Sequence, residues 1–299
     1  MPEHGSVSFE DAVRGKVTFD LKEIDDFVIL KSDEMPTYHL AHILDDHFMG
    51  VSHVIRGDEW ISSTPRHLLI HKALGIEPPQ YIHVPLILGK DKAKLSKRHG
   101  ATSALEYRDQ GFLPDAVFNF MSLLGWSPGD DTEVMSRDEI IKRFTIERIN
   151  DSPATFDSEK LEWMNGVYIR NMNTDQLMEA LIPFMERTES EGGMPDSVAR
   201  PIDRDYLRKL IPLVHERLKL LTEGTETLDF FFSDKVEPDP KDILGRKMDV
   251  QLTIKALSAA LNLCRTVSPF EPDQLEKAYR SLAEEIELKP GQLFSPIRV

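Results

Sequence analysis

The chain has 299 residues, 36 of them basic and 51 acidic, for a net charge of −15. Hydrophobic residues make up 40% and charged residues 29%, an ordinary water-soluble composition whose length suits about two domains. This balance excludes a general polyanion-binding protein. The single cysteine, Cys264, excludes a disulfide framework or a multi-cysteine metal site, and no apolar run reaches the roughly 20 residues of a membrane span.

Residues 1–10 are acidic without an apolar core, so they do not read as a secretory signal, and a cytoplasmic location is expected. Up to Glu34 the pattern is poorly periodic. Val13, Val17, Phe19 and the run Phe27 to Leu30 suggest short strands, with turns at Gly15 and Lys31-Ser32-Asp33. Val51 to Ile55 then reads as a strand. Thr64 caps a helix that has Pro65 in its first turn and stops at Gly75, and Ile82 to Leu88 reads as a second strand. Strand, helix, strand is the pattern of a βαβ unit with parallel strands, whose ligands bind beyond the carboxyl ends of those strands.

The next segment, Gly89 to Gly100, carries five basic side chains and one acid in an otherwise acidic chain. By composition alone it is equally a solvated surface loop. Beyond Gly100 the chain reads as almost entirely helical. Ser136 and Glu139 form a capping box. Apolar residues recur at helical spacing through Leu177–Phe184, Leu207–Val214 and Leu275–Leu282, with Pro183 and Pro212 placed to kink two of those helices. Stretches 188–201 and 233–241 are expected to be exposed loops.

The order Lys94-Leu95-Ser96-Lys97-Arg98 resembles the Lys-Met-Ser-Lys-Ser loop of class I aminoacyl-tRNA synthetases. Three upstream blocks resemble the catalytic half of bacterial-type glutamyl-tRNA synthetases: Pro36-Thr37-Tyr38-His39-Leu40-Ala41, Asp45 to Gly50, and His53-Val54-Ile55-Arg56-Gly57-Asp58-Glu59-Trp60. Gly111-Phe112-Leu113-Pro114, Leu124-Gly125-Trp126 and Phe156 to Gly166 continue the likeness in order. The resemblance implies the second half of a Rossmann-like class I catalytic domain (α/β), then an all-α region. Residues 1–34 would be the tail of an acceptor-binding insertion, 35–100 the second catalytic half, 101–170 a helical stem-contact region, and 171–299 a helical anticodon-binding domain. It implies ATP-dependent activation of glutamate and transfer to the terminal adenosine of tRNA(Glu).

By the same resemblance Lys97 contacts the triphosphate, Lys94 and Ser96 shape the loop, and Glu59 and Trp60 line the ATP site. Arg56 grips the substrate side-chain carboxylate and Tyr38 hydrogen-bonds the ligand. A surface ion pair for Arg56 and a structural packing role for Tyr38 are the plain alternatives. His42 stands where some family members carry an asparagine facing the amino acid.

His39, His42, His47 and His53 lie close in sequence, but their spacing matches no tight ligand set, so no protein-bound zinc is expected and Mg²⁺ should arrive with ATP. Asp45-Asp46, taken as strand or turn residues, are awkward joint ligands. The sequence holds no His-x-Gly-His, the family's other ATP motif. The chain is therefore expected to lack an N-terminal half and its last helices, to be inactive alone, and to be a monomer when complete. A glutaminyl-type synthetase and a non-catalytic tRNA-binding module are the competing readings.

Overall fold

Ser6–Asp11 (β1) and Gly15–Asp20 (β2) form an antiparallel hairpin. It turns at Gly15, whose φ of +68° suits a residue without a Cβ. The computed structural model, which describes residues 4–96, 103–233, 238–245 and 248–298, contains two units, Met1–Asp229 and Phe230–Val299.

In the first unit Tyr38–Met49 forms helix α1, ended by Gly50 at φ +69°. Then come strand β3 (His53–Gly57), helix α2 (Thr64–Leu74) and strand β4 (Gln80–Val84). β3 and β4 are parallel, in a register that sets Arg56 beside His83, so β3–α2–β4 is the expected βαβ unit. β1 adds to β4, also in parallel, through Asp11 opposite Tyr81, giving the order β2-β1-β4-β3. The mixed sheet therefore brings the carboxyl ends of β1, β4 and β3 side by side.

Several sequence expectations shift. β3 starts two residues late because the Val51 amide is still bonded to the Asp46 carbonyl at the end of α1. β4 ends at Val84 because Pro85 has no amide to continue the ladder; Leu88 instead bridges Lys94 and Thr155. Asp45 and Asp46 lie within α1, not in a strand or turn. Thr64 is the first residue of α2 and not its cap, since its hydroxyl donates to the Trp60 carbonyl. Phe27 to Leu30 forms no strand; its contribution is a single bridge, Leu30 to Pro36.

The rest of this unit is helical: α3 (Ala104–Asp109), α4 (Pro114–Gly125), α5 (Arg137–Arg143), α6 (Ser158–Arg170), α7 (Thr174–Met185), α8 (Arg204–Val214) and α9 (Glu223–Phe232). Tyr107, Phe112, Phe120, Phe156, Leu161 and Met164 form a core on which Ile87 and Leu95 pack, so both stems of the basic loop are anchored. Ser136 caps α5 through the Glu139 amide, while the Glu139 carboxylate turns to Arg143, so the box is half made. α7 and α8 continue past Pro183 and Pro212. Stretch 188–201 is not simply exposed, because Met194 and Val198 are buried plugs and the Met194 amide bonds to Met185.

In the second unit the short α10 (Pro240–Ile243) precedes α11 (Val250–Thr266), α12 (Pro272–Glu285) and α13 (Pro290–Phe294), which share a core of Ala256, Ala260, Tyr279, Ala283 and Leu293. Part of the expected loop 233–241 lies outside the described residues.

Gly111 joins α3 to α4 at φ +89°. A Cβ there would lie 2.7 Å from the Thr222 amide nitrogen and 2.8 Å from that of Leu221, which itself donates to the Gly111 carbonyl. Neither backbone atom can swing aside. We expect Gly111→Ala to lower stability by roughly 2–4 kcal/mol, read as a fall in the urea midpoint.

Candidate active site

Arg56 stands at the carboxyl end of β3 and is half-buried. Its Nε donates to His83 Nε2 at 3.0 Å and its Nη2 to Thr64 Oγ1 at 2.8 Å, so one edge of the guanidinium is occupied by two neutral acceptors. Nη1 and Nη2 both reach His67 Nδ1 at a long 3.4 Å. The guanidinium carbon lies 5.0 Å from the Tyr81 ring centre and 5.7 Å from that of Trp60, within cation–π range. Among the ion pairs of the described residues, Arg56 has none. Burial pushes it below the usual arginine value, against the opposing influence of Tyr81 and Tyr38, yet an arginine stays cationic at neutral pH. The guanidinium thus has no direct ion pair among the described residues, although the charge of Asp46 also favours its cationic form.

The partners are ordered in turn. The side chains of His83 and Asp11 are 0% exposed, and His83 Nδ1 lies 2.6 Å from Asp11 Oδ2. Burial pushes Asp11 up, but hydrogen bonds from the Arg14 amide, the His83 side chain, the Val13 amide and the His83 amide outweigh it, and Asp11 ends below the usual carboxylate range. Burial lowers His83 despite Asp11. The pair is therefore a carboxylate and a neutral imidazole whose proton sits on Nδ1, leaving Nε2 to accept from Arg56.

His67 accepts from Arg56 at Nδ1, so its Nε2–H donates to His39 Nδ1 at 2.9 Å. His42 packs edge-on against His67, with ring centres 4.4 Å apart, and stacks on Tyr38 at 4.6 Å. Tyr38 opens α1 and meets Trp60 at 5.0 Å. Of the four histidines singled out in the sequence, His39 and His42 join this cluster. His47 packs on Phe48 and His53 bonds Ser52. Among the described residues no group of three or more histidine, cysteine or acidic side chains could hold a metal ion.

Glu59 and Trp60 lie on the short helical turn Asp58–Ser63 that follows β3. Lys94 Nζ donates to Glu59 Oε1 at 3.0 Å, and this bond holds the Glu59 carboxyl below its ordinary value. The loop base is a tight turn in which the Gly89 amide bonds to Ala93, the Leu95 amide to Ile87, and Lys92 takes φ +61°. Lys90 pairs with Glu159 at 2.6 Å. Ser96 is exposed, and Lys97 lies outside the described residues. Of the sequence candidates, the structure therefore clusters Tyr38, Arg56, Glu59, Trp60 and Lys94.

Sequence reasoning missed Asp11, Thr64, His67 and His83. The one available signal was His83 itself, a polar residue inside the apolar run Tyr81-Ile82-His83-Val84.

Family models match two stretches of the chain. Residues 1–163 match the catalytic domain of tRNA synthetases class I (E and Q), and residues 176–299 match an anticodon binding domain. The chain belongs to the class I (E and Q) tRNA synthetases. It is 46% identical over 298 residues to a glutamate–tRNA ligase of Dehalococcoides mccartyi, covering 100% of this chain and 60% of that protein. To the glutamate–tRNA ligase of Roseiflexus castenholzii it is 46% identical over 301 residues, covering 100% of this chain and 59% of that protein. A crystal structure of a glutamate tRNA ligase from Elizabethkingia meningosepticum in complex with its amino acid superposes with a TM-score of 0.79 at 29% identity, over 100% of this chain and 60% of that one. This synthetase chain thus spans about 60% of the length of the relatives it matches.

Burial of the imidazoles has a consequence for stability. Burial, followed by the charges of His42 and Arg56, drives His67 down to about 2, and burial also lowers His39, His71 and His83. Between about pH 2 and 6.5 the unfolded chain binds a proton that folded His67 refuses. Its stabilising contribution is whole above pH 6.5 and falls by about 1.4 kcal/mol per pH unit below it. We expect stability to drop between pH 7 and 5, measured by urea denaturation, and His67→Gln to flatten that slope by about one proton.

Proposed function

We propose that this chain provides the glutamate-gripping and loop side of a glutamate–tRNA ligase. The observation that carries the reading is the Arg56 guanidinium, which is half-buried, held by neutral acceptors and without a carboxylate partner at the end of a parallel strand. Such a group suits the side-chain carboxylate of glutamate, with the long His67 contacts at Nη1 and Nη2 the first to give way. Tyr38 would complete the grip with its hydroxyl.

In the proposed reaction the α-carboxylate of glutamate attacks the α-phosphorus of ATP. The bond to the β-phosphate breaks, pyrophosphate leaves and glutamyl-adenylate remains. A hydroxyl of the terminal adenosine of tRNA(Glu) then takes the acyl group and AMP departs. Protein groups act mainly by positioning and by offsetting charge on the phosphates. Lys97 is proposed to meet the triphosphate, with Lys94 and Ser96 shaping the loop and Glu59 and Trp60 lining the nucleotide site. The Lys94–Glu59 bond supports this, since it ties the loop base to the turn beside Arg56. Mg²⁺ would enter with ATP.

Residues 1–34 would then belong to an acceptor-binding insertion, 35–100 to the catalytic domain, 101–170 to a stem-contact region and 171–299 to the anticodon-binding part. A cytoplasmic location and a monomeric complete enzyme complete the reading. Among the described residues no helix is long and apolar enough to cross a membrane. The names of the relatives favour glutamate over glutamine as substrate.

The test is glutamate-dependent pyrophosphate exchange. We expect none from the chain alone, because its sequence has no His-x-Gly-His. Supplying the portion of a relative that bears this motif, fused or mixed, should restore exchange with glutamate. Exchange with glutamine instead would support the glutaminyl reading, and tRNA binding without exchange a binding module. In the restored enzyme we expect Arg56→Ala to raise KM for glutamate at least tenfold, and Lys97→Ala to lower kcat more than it weakens glutamate binding.

A further inference from the structure

Asp11 is the best-buried acid of the catalytic-domain sheet, and it touches none of the groups assigned above to substrate. It is 4% exposed, sits at the carboxyl end of β1 and accepts four kinds of hydrogen bond. Its Oδ1 takes the Val13 and Arg14 amides at 3.0 and 2.9 Å. Its Oδ2 takes His83 Nδ1 at 2.6 Å, and the His83 amide lies 3.1 Å from Oδ2 and 3.3 Å from Oδ1. The first pair closes the hairpin turn and would suffice for a purely structural aspartate. The second pair does something else. It fixes the imidazole proton on Nδ1 and so presents a lone pair, not an N–H, to Arg56 Nε.

We propose that Asp11, acting through His83, is a positioning residue that orients Arg56 for its anion. This deepens the reading of Arg56 as the glutamate-side-chain group and rests on it. The relay has a polarity: the Arg56 Nε–H donates to His83 Nε2, and the His83 Nδ1–H donates to Asp11. The reverse order would set an Nδ1 lone pair against the Asp11 carboxylate at 2.6 Å and an Nε2 proton against that of Arg56 Nε at 3.0 Å, with only the Thr64 hydroxyl oxygen at 3.3 Å beside Nε2. Thr64 holds the other end of the same guanidinium edge, so the side chain is gripped at Nε and Nη2, while Nη1 has only the long 3.4 Å contact to His67. The carboxylate is one imidazole removed. It therefore fixes orientation without forming the ion pair that would cancel the charge offered to a ligand.

Substitution at Asp11 inverts this order. In Asp11→Asn either the amide nitrogen meets the His83 Nδ1–H, driving the imidazole proton to Nε2 and against Arg56, or the amide flips and meets the Val13 and Arg14 amides instead. His83→Gln has an oxygen for Arg56 and an N–H for Asp11 and can keep both links, whereas His83→Leu can keep neither.

The experiment uses the full chain, nitrogen-15 labelled at histidine and arginine, at pH 7, with L-glutamate as the probe. The expected result has three parts. His83 is a neutral Nδ1–H imidazole. The Arg56 Nε–H is protected from exchange in the wild type and in His83→Gln, but not in Asp11→Asn or His83→Leu. Glutamate affinity falls about tenfold in those last two variants while His83→Gln stays within about threefold. An Nε2–H tautomer in the wild type, or an unchanged Arg56 Nε–H in Asp11→Asn, overturns the relay and leaves the glutamate reading standing. Intact relay signals with no glutamate binding by the wild type overturn the glutamate reading and leave the relay standing. If Asp11→Asn does not fold, as judged by its thermal transition, the Gln and Leu variants of His83 carry the comparison. Equal glutamate affinity in those two sinks the proposal.

Discussion

A guanidinium held only by neutral acceptors is the constraint around which the sheet end is arranged. Partial burial of a charge is costly unless hydrogen bonds replace its water. Arg56 recovers that loss from His83, Thr64, His67 and the faces of Tyr81 and Trp60. None of these subtracts its charge. They come from three pieces of the chain: β4 (Tyr81 and His83), the first turn of α2 (Thr64 and His67) and the turn after β3 (Trp60). The arrangement exists only if all of them are in register, which makes the site a readout of correct folding of the βαβ unit.

Strand order explains why this is possible. With β1, β4 and β3 adjacent and parallel, three carboxyl ends open on one side of the sheet. Arg56 and His83 are register partners and so share a face, and Asp11 at the end of β1 reaches the same imidazole. The loop that follows β4 is then tied back by Lys94 to Glu59, and its stems by Leu95 and Ile87 to the helical core. Exposed ion pairs such as Lys94–Glu59 contribute little to stability, so this tether holds the loop base only weakly.

Local sequence made part of this legible. Pro65 and Gly75 bracketed α2 within a residue, because a missing amide and a left-handed φ are properties of single residues. The apolar rows of α7, α8 and α12 were equally plain, since one buried face repeats at 3.6 residues. α1 was obscured, since three histidines and two aspartates interrupt its apolar face, and its aspartates read as strand or turn residues. β1 went unseen because it is a polar strand, with two buried residues out of six, that gains its place from β4, about 70 residues downstream. In the site, motif resemblance reached Arg56, Tyr38, Glu59, Trp60 and Lys94. Asp11 and His67 belong to no local pattern, Thr64 read only as a helix start, and His83 stood out only as a polar residue in an apolar run. Their roles arise from contacts across 8 to 72 positions of sequence, which a scan along the chain cannot bring together.

The intervening histidine is the feature that a simpler design would lack. A carboxylate placed directly on Arg56 would hold it just as firmly, but two opposite charges in contact would compete with any acidic ligand for the same N–H groups. With an imidazole between them, the negative charge of Asp11 is moved outward by the width of a ring. Its attraction for Arg56 weakens with distance, while the hydrogen-bond direction passes through the ring undiminished. A chain carrying a net charge of −15 would repel a small anion at long range, so its site must win at short range. As the proposed anion-binding group, a guanidinium ordered by neutral partners meets that requirement.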